Sequence, residues 1–172
     1  RQMLAAGLGV VDGGLMYLYD GRFYGGNVNT TAANQGGGNV NIFSSGRLVM
    51  YGGTIEGGTS ALNGANMHMN NSKSVFEMYG GKITGGTASN GSISTKGTVI
   101  LGGDAVIEGG SIYLMTGAKI QVKDDFTGSA TVEMQDETGK CGTSAIDAIG
   151  KILAQTGYTI VQTGSDLYLE KA

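Results

Sequence analysis

Tyr19, Tyr51 and Tyr79 are the residues whose type and spacing most suggest chemistry. Each stands one position past an apolar residue (Leu18, Met50, Met78), and each is followed three residues on by a polar one: Arg22, Thr54 and Lys82. If the apolar residues face a core, the tyrosines face outward. A row of exposed rings with polar neighbours can hold a sugar chain, ring faces against apolar sugar faces. The same row can instead serve only to stabilise adjacent strands, by about 0.2–1 kcal/mol per pair. The residue types leave both readings open.

The other reactive groups converge less. Glu56 and Glu108 occupy the same repeat position, but Thr84 lies between them. Two strand spacings are about 10 Å, the outer limit for a hydrolytic carboxylate pair. Asp12 and Asp20 have no evident partner. Asp124 and Asp125 are adjacent, so a strand would send them to opposite faces, and no Gly-Gly-x-Gly-x-Asp calcium repeat is present. His68 sits between Met67 and Met69 and is expected to face solvent. It has no second His or Cys for a metal site and no paired nucleophile. Cys141 adjoins Lys140, whose charge would favour a thiolate; inert packing is the simpler expectation. We therefore expect no catalytic residue, no metal and no cofactor. The candidate ligand contacts are Tyr19, Tyr51, Tyr79, Arg22, Thr54 and Lys82.

The elements that position these residues form a repeat. Met50-Tyr51-Gly52-Gly53-Thr54-Ile55-Glu56-Gly57-Gly58 returns as Met78-Tyr79-Gly80-Gly81-Lys82-Ile83-Thr84-Gly85-Gly86. An earlier copy starts at Leu18 and a looser one at Ile100, which gives spacings of 32, 28 and 22 residues. A period in this range marks a repeat architecture. Each repeat holds three short apolar runs separated by glycine pairs or polar loops, too short for ordinary helices. The pattern predicts an all-β fold, a right-handed parallel β-helix of glycine-rich 22–32-residue coils. Three inward stacks are expected: Met16/Leu18, Leu48/Met50, Phe76/Met78 and Thr98/Ile100; Phe23, Ile55, Ile83 and Val106 or Ile107; Val40/Ile42, Met67/Met69, Ile93 and Ile112/Leu114. The segments 27–38, 59–66 and 87–92 vary in length, and insertions on one face of a solenoid often mark its binding face; tolerated drift in surface loops is the other reading.

Past Val122 the repeat fades, so coils are expected over 1–122 and a C-terminal cap over 123–172. The cap should hold a short helix over Ser144–Leu153 and a hairpin of Tyr158–Val161 with Leu167–Leu169 around Gly164-Ser165. Residues 1–14, with the apolar pair Val10-Val11, read as an incomplete first coil. The start at Arg1 has no signal-peptide anatomy, and a module of a longer protein is expected.

Composition excludes several function classes. The 172 residues include 33 Gly, one Cys and no Pro or Trp, with a net charge of -3. No basic surface for nucleic acid follows from such a balance. No run of apolar residues is long enough for a membrane-spanning helix.

The repeated Met-Tyr-Gly-Gly phrase and the closing Tyr158-Thr159-Ile160 with Leu167-Tyr168-Leu169-Glu170 resemble large surface-exposed, adhesin-like β-helix proteins of bacteria, of the pectin-lyase-like fold group. The resemblance covers residues 15–172 and implies a secreted or cell-surface location. It implies a non-enzymatic module, adhesive or a rigid stalk. Alternatives are a glycan-binding or glycan-cleaving β-helix and a pure scaffold. Expected partners are a glycan or a protein, with end-to-end self-association through the N-terminal coil.

Overall fold

The computed structural model describes residues 7–10 and 12–172. Val11 and the first six residues, part of the expected incomplete first coil, lie outside the described residues. The chain is all-β and runs as successive units. The first contains β1 (Leu8–Val10), β2 (Leu15–Leu18), β3 (Arg22–Tyr24) and β4 (Asn27–Val28). The second contains β5 (Val40–Ile42), β6 (Arg47–Met50), β7 (Thr54–Glu56) and β8 (Thr59–Ser60). Then follow β9 (Met67–Met69), β10 (Val75–Met78) and β11 (Lys82–Thr84), and β12 (Ile93–Thr95), β13 (Thr98–Leu101) and β14 (Val106–Glu108). The chain ends with β15 (Ile112–Leu114), β16 (Lys119–Val122), β17 (Ala130–Met134), β18 (Gly139–Ser144), β19 (Ile152–Ala154), β20 (Tyr158–Thr163) and β21 (Asp166–Lys171).

Each strand pairs with its counterpart in the next unit. One sheet is β1-β5-β9-β12-β15-β17-β19, a second β2-β6-β10-β13-β16-β18-β21-β20, a third β3-β7-β11-β14, with β4-β8 as a small fourth. All of these pairs are parallel except β18–β21 and β20–β21. Parallel pairing therefore continues past Val122, and the change to antiparallel comes at the closing hairpin. The arrangement is compatible with a parallel β-helix.

Registration fixes the core. Phe23, Ile55, Ile83 and Ile107 are aligned. So are Val40, Met67, Ile93, Ile112 and Val132. Strand alternation sends these side chains to one face, and all but the partly buried Phe23 are fully buried. At the corner after β10, Gly81 has φ 82°, and a Cβ there would come 2.6 Å from the Gly53 carbonyl oxygen. Only glycine lets consecutive corners stack so closely.

Two sequence expectations fail. Val99 and Leu101, not Thr98 and Ile100, align with Phe76 and Met78 and enter the core. The run Val99-Ile100-Leu101 has no polar residue to show its phase, and the following turn is one residue longer than its predecessor, Gly102–Ala105 against Tyr79–Gly81. The helix over Ser144–Leu153 is absent. Ser144 ends β18 and Ile152 begins β19. The apparent start signals are local turns: Ser144 Oγ bonds with the Ile146 backbone, and Asp147 accepts from the Ile149 amide at 3.1 Å. Gly150, at φ 82°, turns the chain. The expected hairpin is present, with Thr163 opposite Asp166.

Ile83 is fully buried with aligned Ile above and below, whereas Ile149 is 52% exposed. Ile83→Ala should lower unfolding free energy by about 2–5 kcal/mol and Ile149→Ala by no more than about 0.5 kcal/mol, as read by urea denaturation. Equal costs would contradict this core.

Candidate functional site

The tyrosines form a continuous outward column. Tyr19 and Tyr51 stack with ring centroids 5.3 Å apart and Tyr51 and Tyr79 at 5.5 Å, with interplanar angles of 12° and 18°. Tyr17 joins the column, 6.2 Å from Tyr19 and 6.5 Å from Tyr51. The rings overlap like shingles, so part of each face rests on its neighbour. Exposure falls from 70% at Tyr19 to 47% at Tyr51, and Tyr79 is partly buried. The free ring surface of the column is therefore greatest at Tyr19, with Tyr17 and Tyr51 about equally exposed.

The column ends because the next unit puts Gly102 in the tyrosine position. A Cβ on Gly102 would come 2.6 Å from the Tyr79 ring. The hydroxyl of Tyr79 donates to Glu77 at 2.7 Å, and Glu77 also pairs with Arg47 of the preceding unit. Burial, reinforced by the Glu77 carboxylate, pushes the Tyr79 hydroxyl up to about 12.

Arg22, Thr54 and Lys82 lie in one rank on the adjacent sheet, and Tyr24, Glu56, Thr84 and Glu108 in the next. Arg22 pairs with Glu56 of the following unit and covers the Tyr24 ring at 4.6 Å. Lys82 pairs with Glu108, again one unit on. Glu56 and Glu108 thus each hold a cation, with Thr84 between them. Three ion pairs link the first four units in succession. The Arg22–Glu56 and Lys82–Glu108 pairs, being largely exposed, contribute about 0–1 kcal/mol each, whereas Glu77 is buried beneath Arg47.

The remaining candidates fall elsewhere. Asp12 and Asp20 do have partners: Asp12 accepts from the Ser45 hydroxyl and amide, and Asp20 accepts from the Gly21 amide. Asp124 and Asp125 sit in the turn after β16 rather than on a strand. No group of three or more His, Cys, Asp or Glu converges among the described residues. Cys141 is fully buried, and burial raises its thiol to about 11; Lys140 is engaged with Asp166 at 2.8 Å.

His68 corrects the solvent-facing expectation, because it is fully buried. The alternation was read correctly, but the outer face is covered there. The segment between the third sheet and the next unit folds back over it: a Cβ on Gly37 would lie 2.8 Å from the His68 amide nitrogen. Gly64 stands in the same relation to the Ser94 amide, and a Cβ on Gly91 would lie 3.0 Å from the Tyr113 Cβ. The recurrence of Gly37, Gly64 and Gly91 at equal intervals was the available signal. His68 Nδ1 lies 3.2 Å from the Ser94 carbonyl oxygen, and Nε2 is buried without a partner. Burial, with a smaller push from Lys96, lowers its pKa to about 4.

The sequence reading also missed an asparagine ladder. Asn39 donates to the Glu56 carbonyl and to Asn66 Oδ1, both at 2.8 Å, and accepts from the Gly26 amide. Asn66 repeats this with the Thr84 and Gly85 carbonyls, the Gly58 amide and Ser92 Oγ. The recurrence of Asn just before Val40 and Met67 could have revealed it. Beyond Ser92, a polar groove crosses the next units. It comprises two adjoining cavities of about 280 and 420 Å³ that share Gly109, Gly110, Ser111 and Glu133.

Compared with protein-family models, with curated proteins and with solved structures, the chain matches none.

The low His68 pKa has a definite sign. The unfolded state takes up the proton near pH 6.5 and the folded state only near pH 4, so stability falls as pH drops through this window and levels off below it. His68→Gln should remove this part of the slope, on the order of 3 kcal/mol, in urea titrations at pH 7 and pH 4. An unchanged pH dependence in the variant would refute the assignment.

Proposed function

We propose that this chain is a non-enzymatic surface module, a rigid right-handed β-helical stalk with an adhesive aromatic face. The observation that carries the proposal is the outward column Tyr17, Tyr19, Tyr51 and Tyr79, ordered by the sheet register and exposed most at its first rings. Uninterrupted parallel sheets supply stiffness, because each unit is hydrogen-bonded to the next along its length. Residues 123–172 act as the cap, whose antiparallel hairpin closes one sheet end that would otherwise invite pairing with another chain. The resemblance to adhesin-like β-helix proteins supports a secreted or cell-surface location and a glycan or protein partner.

A glycan-cleaving role is less well supported. Glu56 and Glu108 are each engaged by a cation on the same surface, and it is Thr84 that stands between them. A pure scaffold would use the tyrosines only to hold units together.

A glycan array separates these readings. Binding by the wild-type chain that is lost in Tyr17→Ser/Tyr19→Ser/Tyr51→Ser, with both proteins showing the same circular dichroism, is the expected result. Equal binding by the two would move the adhesive site off the column. No binding by either would favour the scaffold.

A further inference from the structure

We propose that the groove spanning the corner from Gly85 to Thr156 is a binding site for a neutral oligosaccharide. This inference rests on the reading of the chain as a binding module, but uses a face separate from the tyrosines. The groove arises from the shortening of one corner. The connections between the third sheet and the first are residues 25–39, 57–66, 85–92 and then 109–111. In the earlier units the connection is long enough to fold over the first sheet, and Asn39 and Asn66 fill the space beneath it. Aligned with these asparagines are Ser92, Ser111 and Thr131. A serine is too short to repeat the asparagine's reach, and a three-residue connection cannot cover the sheet. Space opens at that point, lined by residues of four successive units.

The lining chemistry selects the ligand. Ser111 is only 6% exposed, borders both cavities, and its hydroxyl makes no hydrogen bond among the described residues. Glu133 borders both cavities and makes no ion pair or hydrogen bond within the described residues. Thr87, Ser89, Thr131 and Gln155 add further donors and acceptors. A hydroxyl both donates and accepts, and a carboxylate accepts from two hydroxyls at once. That set matches the dense hydroxyls of a sugar chain. No Lys or Arg lines either cavity, so an acidic sugar would meet Glu133 without a compensating cation. Four units at about 4.8 Å spacing give a length of about 15 Å, an extended site suited to an oligomer rather than a single sugar.

The test is a 1H–15N NMR titration of this chain with cellohexaose, mannohexaose and hexagalacturonate at millimolar concentration. A neutral hexasaccharide should shift the amides of Ser111, Thr131 and Glu133, with hexagalacturonate at least about tenfold weaker. Ser111→Val and Glu133→Ala, each retaining the dispersed spectrum of the folded chain, should weaken binding about tenfold. Groove amides unmoved by both neutral sugars, equal binding of hexagalacturonate, or unchanged affinity in both variants would overturn the proposal. Shifts confined to Tyr17, Tyr19 and Tyr51 would overturn the groove yet leave the adhesive module standing. Shifts nowhere would count against both.

Discussion

The backbone ladder between successive units is the interaction on which the rest of the structure depends. Its regularity is visible at one corner: the Tyr51 amide donates to Leu18, Tyr79 to Met50, Gly102 to Met78 and Lys123 to Leu101, all at 2.8–2.9 Å. These amides bond to the unit before them and others, such as Gly38 and Val40, to the unit after, so a unit cannot shift along its neighbour without breaking every bond in the rank. A slip of one residue would also send Phe76 and Met78 outward. Everything else is a consequence of that registration. The isoleucine stack, the tyrosine column and the three inter-unit ion pairs are ranks of residues that the ladder brings side by side.

Registration alone does not decide what happens at the corners, and there the polar side chains take over. Asn39 and Asn66 are buried and donate to the backbone carbonyls of Glu56, Thr84 and Gly85, while accepting from the Gly26 and Gly58 amides. An unsatisfied buried polar group costs about 1–3 kcal/mol, so an apolar replacement at either position would leave several such groups exposed to that cost. The asparagines thus permit long connections to lie over the first sheet. Those connections in turn bury Asn41, His68 and Ser94, which would otherwise form a solvated outer rank. The same rank becomes half-buried at Tyr113 and Glu133, where the covering connection has shrunk.

The fold was legible in the sequence wherever polar and apolar residues alternate cleanly around a glycine pair. Phe76-Glu77-Met78 with Ile83 specifies its inward face, and the repeated phrase carries that phase to the all-apolar Leu48-Val49-Met50 with Ile55. Legibility failed where alternation was silent or local geometry imitated another element. Val99-Ile100-Leu101 carries no phase, so only the pairing with β10 shows which residues turn inward. Ile146, Ile149 and Ile152 recur at near-helical spacing, yet Ser144 and Asp147 form side-chain turns and the segment never winds. The tyrosine column could be read because it repeats in the phrase itself. Arg47 pairing with Glu77 could not, since the two occupy different positions in their units. The groove was hidden for a deeper reason: it is made by what is missing between Glu108 and Ile112, not by any motif that is present.

The two candidate surfaces follow from one trend along the chain. By register, successive units are 32, 28, 23 and 21 residues long, from Leu18 to Met50, Met78, Leu101 and Val122. Where units are long, the first sheet is covered and the second sheet's outer corner carries tyrosines. Where units shorten, Gly102 replaces the tyrosine and the other corner opens. A ligand approaching the early units meets rings whose faces are partly taken up by their neighbours, and it gains most at Tyr19. A ligand approaching the later units meets hydroxyls and one carboxylate in a concave channel. Apolar ring contact tolerates many partners, whereas a channel whose Ser111 hydroxyl makes no hydrogen bond among the described residues favours a ligand that supplies one. Of the two surfaces, the channel is therefore the one built to discriminate between ligands, and the column the one built to adhere.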